Sequence, residues 1–121
     1  MEEKKRVLVV DDEDNVRRLV HRILGKEYIV LEAKDGEQGV HMAHNQKPDL
    51  ILLDIMMPKM DGYTACYTIK TDPVTEAIPV VMLTSLAYEL NVKLSSDLGA
   101  DGYITKPFSP QDLLNVTSQF L

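Results

Sequence analysis

The feature that most constrains this sequence is a short, uninterrupted apolar run that occurs three times and ends each time on a polar residue. Val7-Leu8-Val9-Val10 stops at Asp11-Asp12, Leu50-Ile51-Leu52-Leu53 stops at Asp54, and Val80-Val81-Met82-Leu83 stops at Thr84-Ser85. Four apolar residues in a row, rich in β-branched side chains and without alternation, are the pattern of strands covered on both faces. Between these runs the period changes. Val16, Leu19, Val20, Ile23 and Leu24 recur at helical spacing, with Arg17, Arg18 and His21 on the other side and Gly25 as the stop. Tyr28 to Ala33 reads as a further strand, Asp35-Gly36 as a turn, and residues 37–46 as a helix. Pro48-Asp49 opens the third strand, and a loop with Pro58 and Asp61-Gly62 leads to a helix over 63–71 that ends near Asp72-Pro73. After the fourth strand, a helix over 87–98 stops at Gly99, and a short strand, Gly102-Tyr103-Ile104, runs into Lys106-Pro107. Ser109-Pro110-Gln111-Asp112 has an N-cap serine, proline at the first helical position and an acid three residues on; Leu113, Val116, Thr117 and Phe120 continue at helical spacing.

Five strand–helix units with short connections predict an α/β fold, a doubly wound five-stranded parallel sheet of (βα)5 type. Strand 2 contains Glu32 and strand 5 is short, which makes them the edges. The order 2-1-3-4-5, that of flavodoxin-like proteins, satisfies both observations and the right-handed crossover rule. A length of 121 residues fits a single domain over 1–121, and no repeat, linker or low-complexity stretch interrupts it. A net charge of −6 argues against direct nucleic-acid binding, which needs a concentrated basic surface. No apolar run approaches the roughly 20 residues of a membrane span, and Met1-Glu2-Glu3-Lys4-Lys5-Arg6 does not open a signal peptide. Cys66 is the single cysteine, which points to a reducing, cytoplasmic setting.

In an open α/β sheet the loops leaving the carboxyl ends of the strands share one edge. Here they carry Asp11 and Asp12, Asp54, Thr84 and Lys106. Any one acid after a strand is as well explained as a helix cap; the whole set at one edge is not. Three adjacent carboxylates repel one another unless cations intervene. Lys106 supplies one positive charge and a divalent ion two, which balances the set. Oxygen-only ligands suit magnesium, with manganese as the alternative, and no thiolate or histidine lies near these loops to favour zinc. Such a site handles phosphate. Asp54, after the most central strand, is the candidate nucleophile, with Asp11 and Asp12 holding the metal. Lys106 is a point charge for one phosphoryl oxygen and the Thr84 hydroxyl a hydrogen-bond donor to another.

These residues resemble the receiver domain of two-component response regulators over essentially the whole chain. The marks are Val9-Val10-Asp11-Asp12-Glu13, then Leu53-Asp54-Ile55-Met56-Met57-Pro58-Lys59-Met60-Asp61-Gly62, then Thr84-Ser85, then Gly99-Ala100-Asp101-Gly102-Tyr103-Ile104-Thr105-Lys106-Pro107-Phe108. The resemblance implies that Asp54 takes a phosphoryl group from a histidine kinase or a histidine phosphotransfer protein. It implies that the main-chain carbonyl of Met56 is a third protein ligand of the metal beside Asp11, Asp12 and Asp54. Thr84 and Tyr103 match a switch pair in which the hydroxyl moves toward the phosphoryl group and the ring turns inward behind it. Lys106 matches the family's lysine, and its bond to Pro107 is expected in cis. The surface of the fourth helix, fifth strand and last helix would then change partners: a downstream protein, an output domain missing here, or a second copy in a homodimer. Such a module is a signalling domain, which catalyses its own phosphoryl transfer and slow dephosphorylation but is otherwise no enzyme.

Two departures stand out. Two residues past Asp54 is Met56 and two past Thr84 is Leu86, both apolar, so neither orients an attacking water and the phosphoryl group should be long-lived. Leu86, Leu90, Leu94 and Leu98 form an i+4 stripe on the fourth helix, read as core, with a partner face as the alternative. His41 and His44 read as a solvated face, Cys66 as a small apolar core residue, and Met57 and Met60 as shaping the loop after Asp54. A haloacid-dehalogenase-like phosphatase would want an acid at Met56, and an FMN binder a phosphate loop where Asp11-Asp12-Glu13-Asp14 stands. A phosphorylation-independent interaction module on the same fold stays open, as does the choice between a stand-alone protein and one domain of a longer regulator.

Overall fold

The structure is a computed structural model and describes residues 3–85 and 96–121. Strands β1 (Arg6–Val10), β2 (Ile29–Ala33), β3 (Leu50–Asp54), β4 (Val80–Thr84) and β5 (Gly102–Thr105) form one sheet in the order β2-β1-β3-β4-β5. Every neighbouring pair is parallel. Helices α1 (Asp14–Leu24), α2 (Gly36–Gln46), α3 (Gly62–Thr71) and a C-terminal helix (Pro110–Phe120) cover it. The helix expected over 87–98, with its leucine stripe, falls mostly outside the described residues.

The two-residue period of the strands sorts the core into two layers. Leu8, Val10, Ile51, Leu53, Val80 and Met82 pack on one face against Ala43 of α2 and Ala65, Cys66 and Ile69 of α3. Val7, Val9, Leu50, Leu52, Val81, Leu83 and Ile104 pack on the other against Val20 and Leu24 of α1 and Leu113 of the C-terminal helix. Both faces are dry, so every position of β3 and β4 is buried, which is why these runs do not alternate. β2 lies at an edge with Ile29 and Glu32 exposed, and it starts one residue later than the periodicity suggests.

Local chemistry sets the helix ends. Asp35 accepts the Gln38 amide at 2.8 Å and Asp61 the Thr64 amide at 2.8 Å, capping α2 and α3. Ser109 and Asp112 form a reciprocal capping box with Pro110 in the first turn. α1 differs: its N-cap, Glu13, makes no side-chain cap bond. Gly25 ends α1 in an ordinary right-handed conformation, so the stop comes from the chain turning into β2 rather than from a left-handed glycine.

Thr117, on the buried side of the C-terminal helix, is fully enclosed, and its Oγ1 has no hydrogen-bond partner among the described residues. An enclosed hydroxyl without a partner costs stability, and valine has nearly the same shape. Thr117→Val should therefore raise unfolding stability by roughly 1 kcal/mol in urea titrations; a loss instead would mean that the hydroxyl is satisfied in solution.

Candidate functional site

Strand parity continues past the strand ends and decides which polar side chains meet. Asp11 follows Val7 and Val9, Asp54 follows Leu50 and Leu52, and Lys106 follows Ile104, all on the face covered by α1 and the C-terminal helix. The register aligns these ends, with Val10 beside Leu53, Asp54 beside Leu83 and Thr84 beside Thr105. The result is a tight ionic cluster. Lys106 Nζ donates to Asp11 Oδ2 at 2.7 Å and to Asp54 Oδ1 at 3.2 Å. One carboxylate oxygen from each of Asp11, Asp12 and Asp54 lies within 4.8 Å of the other two. Asp11 and Asp54 are buried, whereas Asp12 is exposed at the rim.

The helix-capping explanation of these acids fails at this edge. Asp35 and Asp61 cap helices, but Asp54 turns to Lys106, and Asp11 divides its oxygens between Lys106 and the Glu13 amide, the latter at 2.9 Å. The backbone around Asp54 is equally close-fitting. Gly62 N donates to Ile55 O at 2.8 Å, and a Cβ on Gly62 would stand 2.1 Å from Asp54 O. Only glycine lets α3 begin this close to the end of β3.

Burial, helped by the neighbouring Asp11 charge, pushes the Asp54 carboxyl up to about 6, against the opposing pull of Lys106. Burial alone would lower the Lys106 ammonium, but its hydrogen bond to Asp11 and the charges of Asp11 and Asp54 outweigh that and raise it. One lysine therefore does not neutralise the cluster. The donor set is all oxygen, contains three carboxylates within 4.8 Å, and has its outer acid open to solvent; that fits a hard divalent cation and does not fit zinc or copper.

The remaining predicted residues lie around this core. Thr84 is buried at the end of β4, and its carbonyl accepts the Lys106 amide at 2.6 Å. The Met56 side chain is 72 % exposed. Tyr103 is 46 % exposed and borders a groove of about 420 Å³ with Pro107, Asp112 and Asn115. The Lys106–Pro107 peptide is cis. Cys66 is buried, with its thiol pushed up to about 11 by burial. His41 and His44 are exposed on α2, where His44 stands 3.9 Å from Asp72. One residue of the site region departs from its sequence assignment. Arg17 does not point outward with Arg18; it folds back to the carbonyl of Asp11 at 2.6 Å. No periodicity signals this, because it depends on the length of the side chain and not on the helix face.

The model of the response regulator receiver domain matches residues 7–118. This chain belongs to that family. Among curated proteins, the probable transcriptional regulator ycf27 of Guillardia theta is 42 % identical over 114 residues, covering 93 % of this chain and 44 % of its own length. The alkaline phosphatase synthesis transcriptional regulatory protein PhoP of Bacillus subtilis is 42 % identical over 110 residues, covering 90 % and 45 %. The receiver chain thus spans less than half the length of these relatives. Chemotaxis protein CheY4 of Vibrio cholerae shares the fold at a TM-score of 0.93 and 29 % identity, over 98 % of this chain and 100 % of the other. The receiver domain of sensor histidine kinase PA1611 of Pseudomonas aeruginosa, solved with magnesium coordinated in its active site cleft, matches at 0.89 and 27 %, over 98 % of each chain. No helix among the described residues of this receiver is long and apolar enough to cross a membrane.

The raised Asp54 carboxyl makes a signed prediction for the metal-free protein. A group whose folded value, about 6, exceeds its ordinary 3.8 stabilises the fold fully only below the ordinary value, and that advantage is lost as pH rises through 6. In chelator, Asp54→Asn should be more stable than wild type at pH 8 by about 1–3 kcal/mol, with the difference shrinking toward pH 4. Urea titrations at the two pH values check it.

Proposed function

We propose that this receiver is a phosphoacceptor in which Asp54 takes a phosphoryl group from a histidine kinase or histidine phosphotransfer protein. The observation that carries the proposal is the Lys106 ammonium shared between Asp11 and Asp54, with Asp12 completing a compact carboxylate cluster. Asp54 attacks phosphorus; its oxygen–phosphorus bond forms as the bond to the donor nitrogen breaks, and the donor imidazole leaves with that electron pair. Lys106 balances charge on one phosphoryl oxygen, and the Thr84 hydroxyl donates to another. Asp11, Asp12, Asp54 and the Met56 carbonyl would hold the cation. Magnesium supplies two positive charges that let the phosphoryl group approach the acids, and manganese would serve in its place.

Phosphorylation acts on a signalling surface. Thr84 and Tyr103 form the switch pair, and the half-exposed ring beside its groove is the outward state of that pair. The altered surface includes β5 and the C-terminal helix and controls a downstream protein, an output domain or a second copy. Residues 1–121 act as one receiver domain in a cytoplasmic setting, and the acidic balance of −6 argues that this domain does not itself contact nucleic acid.

Intact mass after incubation with a small-molecule phosphodonor tests the reading. One phosphate, dependent on magnesium and absent from Asp54→Asn, is expected. No adduct under any condition would leave the fold as a phosphorylation-independent interaction module.

The exposed Met56 side chain offers no polar atom with which to hold an attacking water. The adduct should therefore decay slowly, and Met56→Glu should shorten its lifetime several-fold in a mass time course. Rapid magnesium-dependent decay of the wild type, unchanged in the variant, would contradict this.

A further inference from the structure

Arg17 stands on the second turn of α1, yet its side chain is only 13 % exposed. Each of its three nitrogens has a partner. Nη1 donates to the main-chain carbonyl of Asp11 at 2.6 Å, Nη2 pairs with the Asp14 carboxylate, and Nε lies 3.3 Å from Glu32 Oε1 on the edge strand β2. The Asp11 carbonyl belongs to the peptide that joins Asp11 to Asp12. On the other side of Asp11, its amide donates to Ala33 O at 3.1 Å, and its carboxylate is fixed by the Glu13 amide and Lys106. Arg17 therefore supplies the hold on the Asp12 side of that residue. A planar guanidinium with two hydrogen-bond acceptors and a further ion pair to Glu32 is far better ordered than a single surface ion pair, and a charge-assisted bond to a carbonyl is stronger than a neutral one.

We propose that Arg17, anchored by Asp14 and Glu32, is a positioning residue: it fixes the Asp11–Asp12 peptide plane and thereby the direction in which Asp12 presents its carboxylate to a divalent cation. The proposal rests on the reading of Asp11 and Asp12 as cation ligands. It reaches beyond that reading by placing the edge strand, through Glu32, among the supports of the site. Groups that orient ligands from behind typically change metal affinity by about 10- to 100-fold.

The sign of the effect separates positioning from simple electrostatics. A guanidinium near a cation site repels the cation, so deleting its charge would tighten binding if charge were all that mattered. Losing the hold on the peptide would weaken it. Magnesium titrations by calorimetry on the full chain should compare wild type with Arg17→Gln, Arg17→Lys and Glu32→Gln, with urea unfolding in chelator as the measure of folding. Arg17→Gln should weaken magnesium binding about tenfold. Arg17→Lys, which keeps the charge but cannot reach the Asp11 carbonyl and both carboxylates with one planar fork, should weaken it too, and Glu32→Gln by a smaller factor. Saturating magnesium should restore phosphodonor labelling of the folded variants to near the wild-type rate. Unchanged or tighter binding in folded Arg17→Gln would overturn the proposal. Should that variant fail to fold, unchanged affinity in Glu32→Gln would overturn it instead. A wild type that binds no magnesium would sink the cation-site reading itself, an outcome distinct from either.

Discussion

A single ammonium group shared by two buried carboxylates organises the functional edge of this receiver domain. Lys106 lies 2.7 Å from Asp11 and 3.2 Å from Asp54, although 95 and 52 residues of sequence separate the partners. Bringing two acids into a buried space is unfavourable unless positive charge comes with them. The lysine supplies part of that charge, and Asp54 still sits at about 6. The residual imbalance has a consequence: a cluster left short of positive charge is one that gains by taking up a cation. Deleting Lys106 would leave the acids uncompensated, so the lysine serves the fold as well as the site.

Strand parity delivers this geometry at almost no cost in special structure. Alternate residues of β1, β3 and β5 face α1 and the C-terminal helix, and extending β1 and β5 by one position puts Asp11 and Lys106 on the same side as Asp54, the last residue of β3. The apolar residues behind them are completely enclosed, which gives the polar tips a stiff base. Gly62 adds a demanding contact, since any larger residue would push α3 away from the carbonyl of Asp54. The site is therefore precise because it is the continuation of a packed sheet, not because its loops are individually rigid.

This explains which parts were readable from the residues alone. β1, β3 and β4 announce themselves because both their faces are dry, and their order follows from the polar residue on β2 and the shortness of β5. The capping box at Ser109 and the caps at Asp35 and Asp61 obey local rules that need no tertiary information. The meeting of Asp11, Asp12, Asp54 and Lys106 was legible because topology alone brings those strand ends together. Arg17 was not legible. The helical period placed it on the outer face of α1, but a side chain of that length can reach back over a full turn, and the acceptor it finds is a main-chain carbonyl with no sequence signature. The boundary of β2 was shifted by one residue for a related reason: an edge strand ends where hydrogen bonds end, which hydropathy does not record.

The connection between the site and the surface follows from the same hydrogen bonds. The Lys106 amide is bonded to the Thr84 carbonyl at 2.6 Å, so the ends of β4 and β5 are tied together directly behind the ionic cluster. In the proposed switch, a phosphoryl group on Asp54 draws Lys106 Nζ and the Thr84 hydroxyl toward its own oxygens, and both pulls act on that one joint. Moving a two-state element from 1:99 to 99:1 takes about 5.5 kcal/mol. Charge-assisted hydrogen bonds contribute roughly 1.5–3 kcal/mol each, and because Lys106 already donates to Asp11 and Asp54, only the difference between those bonds and the ones to a phosphoryl group would count toward that figure. Tyr103 lies on β5 three residues before Lys106, so in the proposed switch a small displacement of the joint would reach its half-exposed ring and the groove beside it. A site built from strand ends would need no separate relay for the proposed switch, because the strand that leads into the lysine also carries the half-exposed Tyr103.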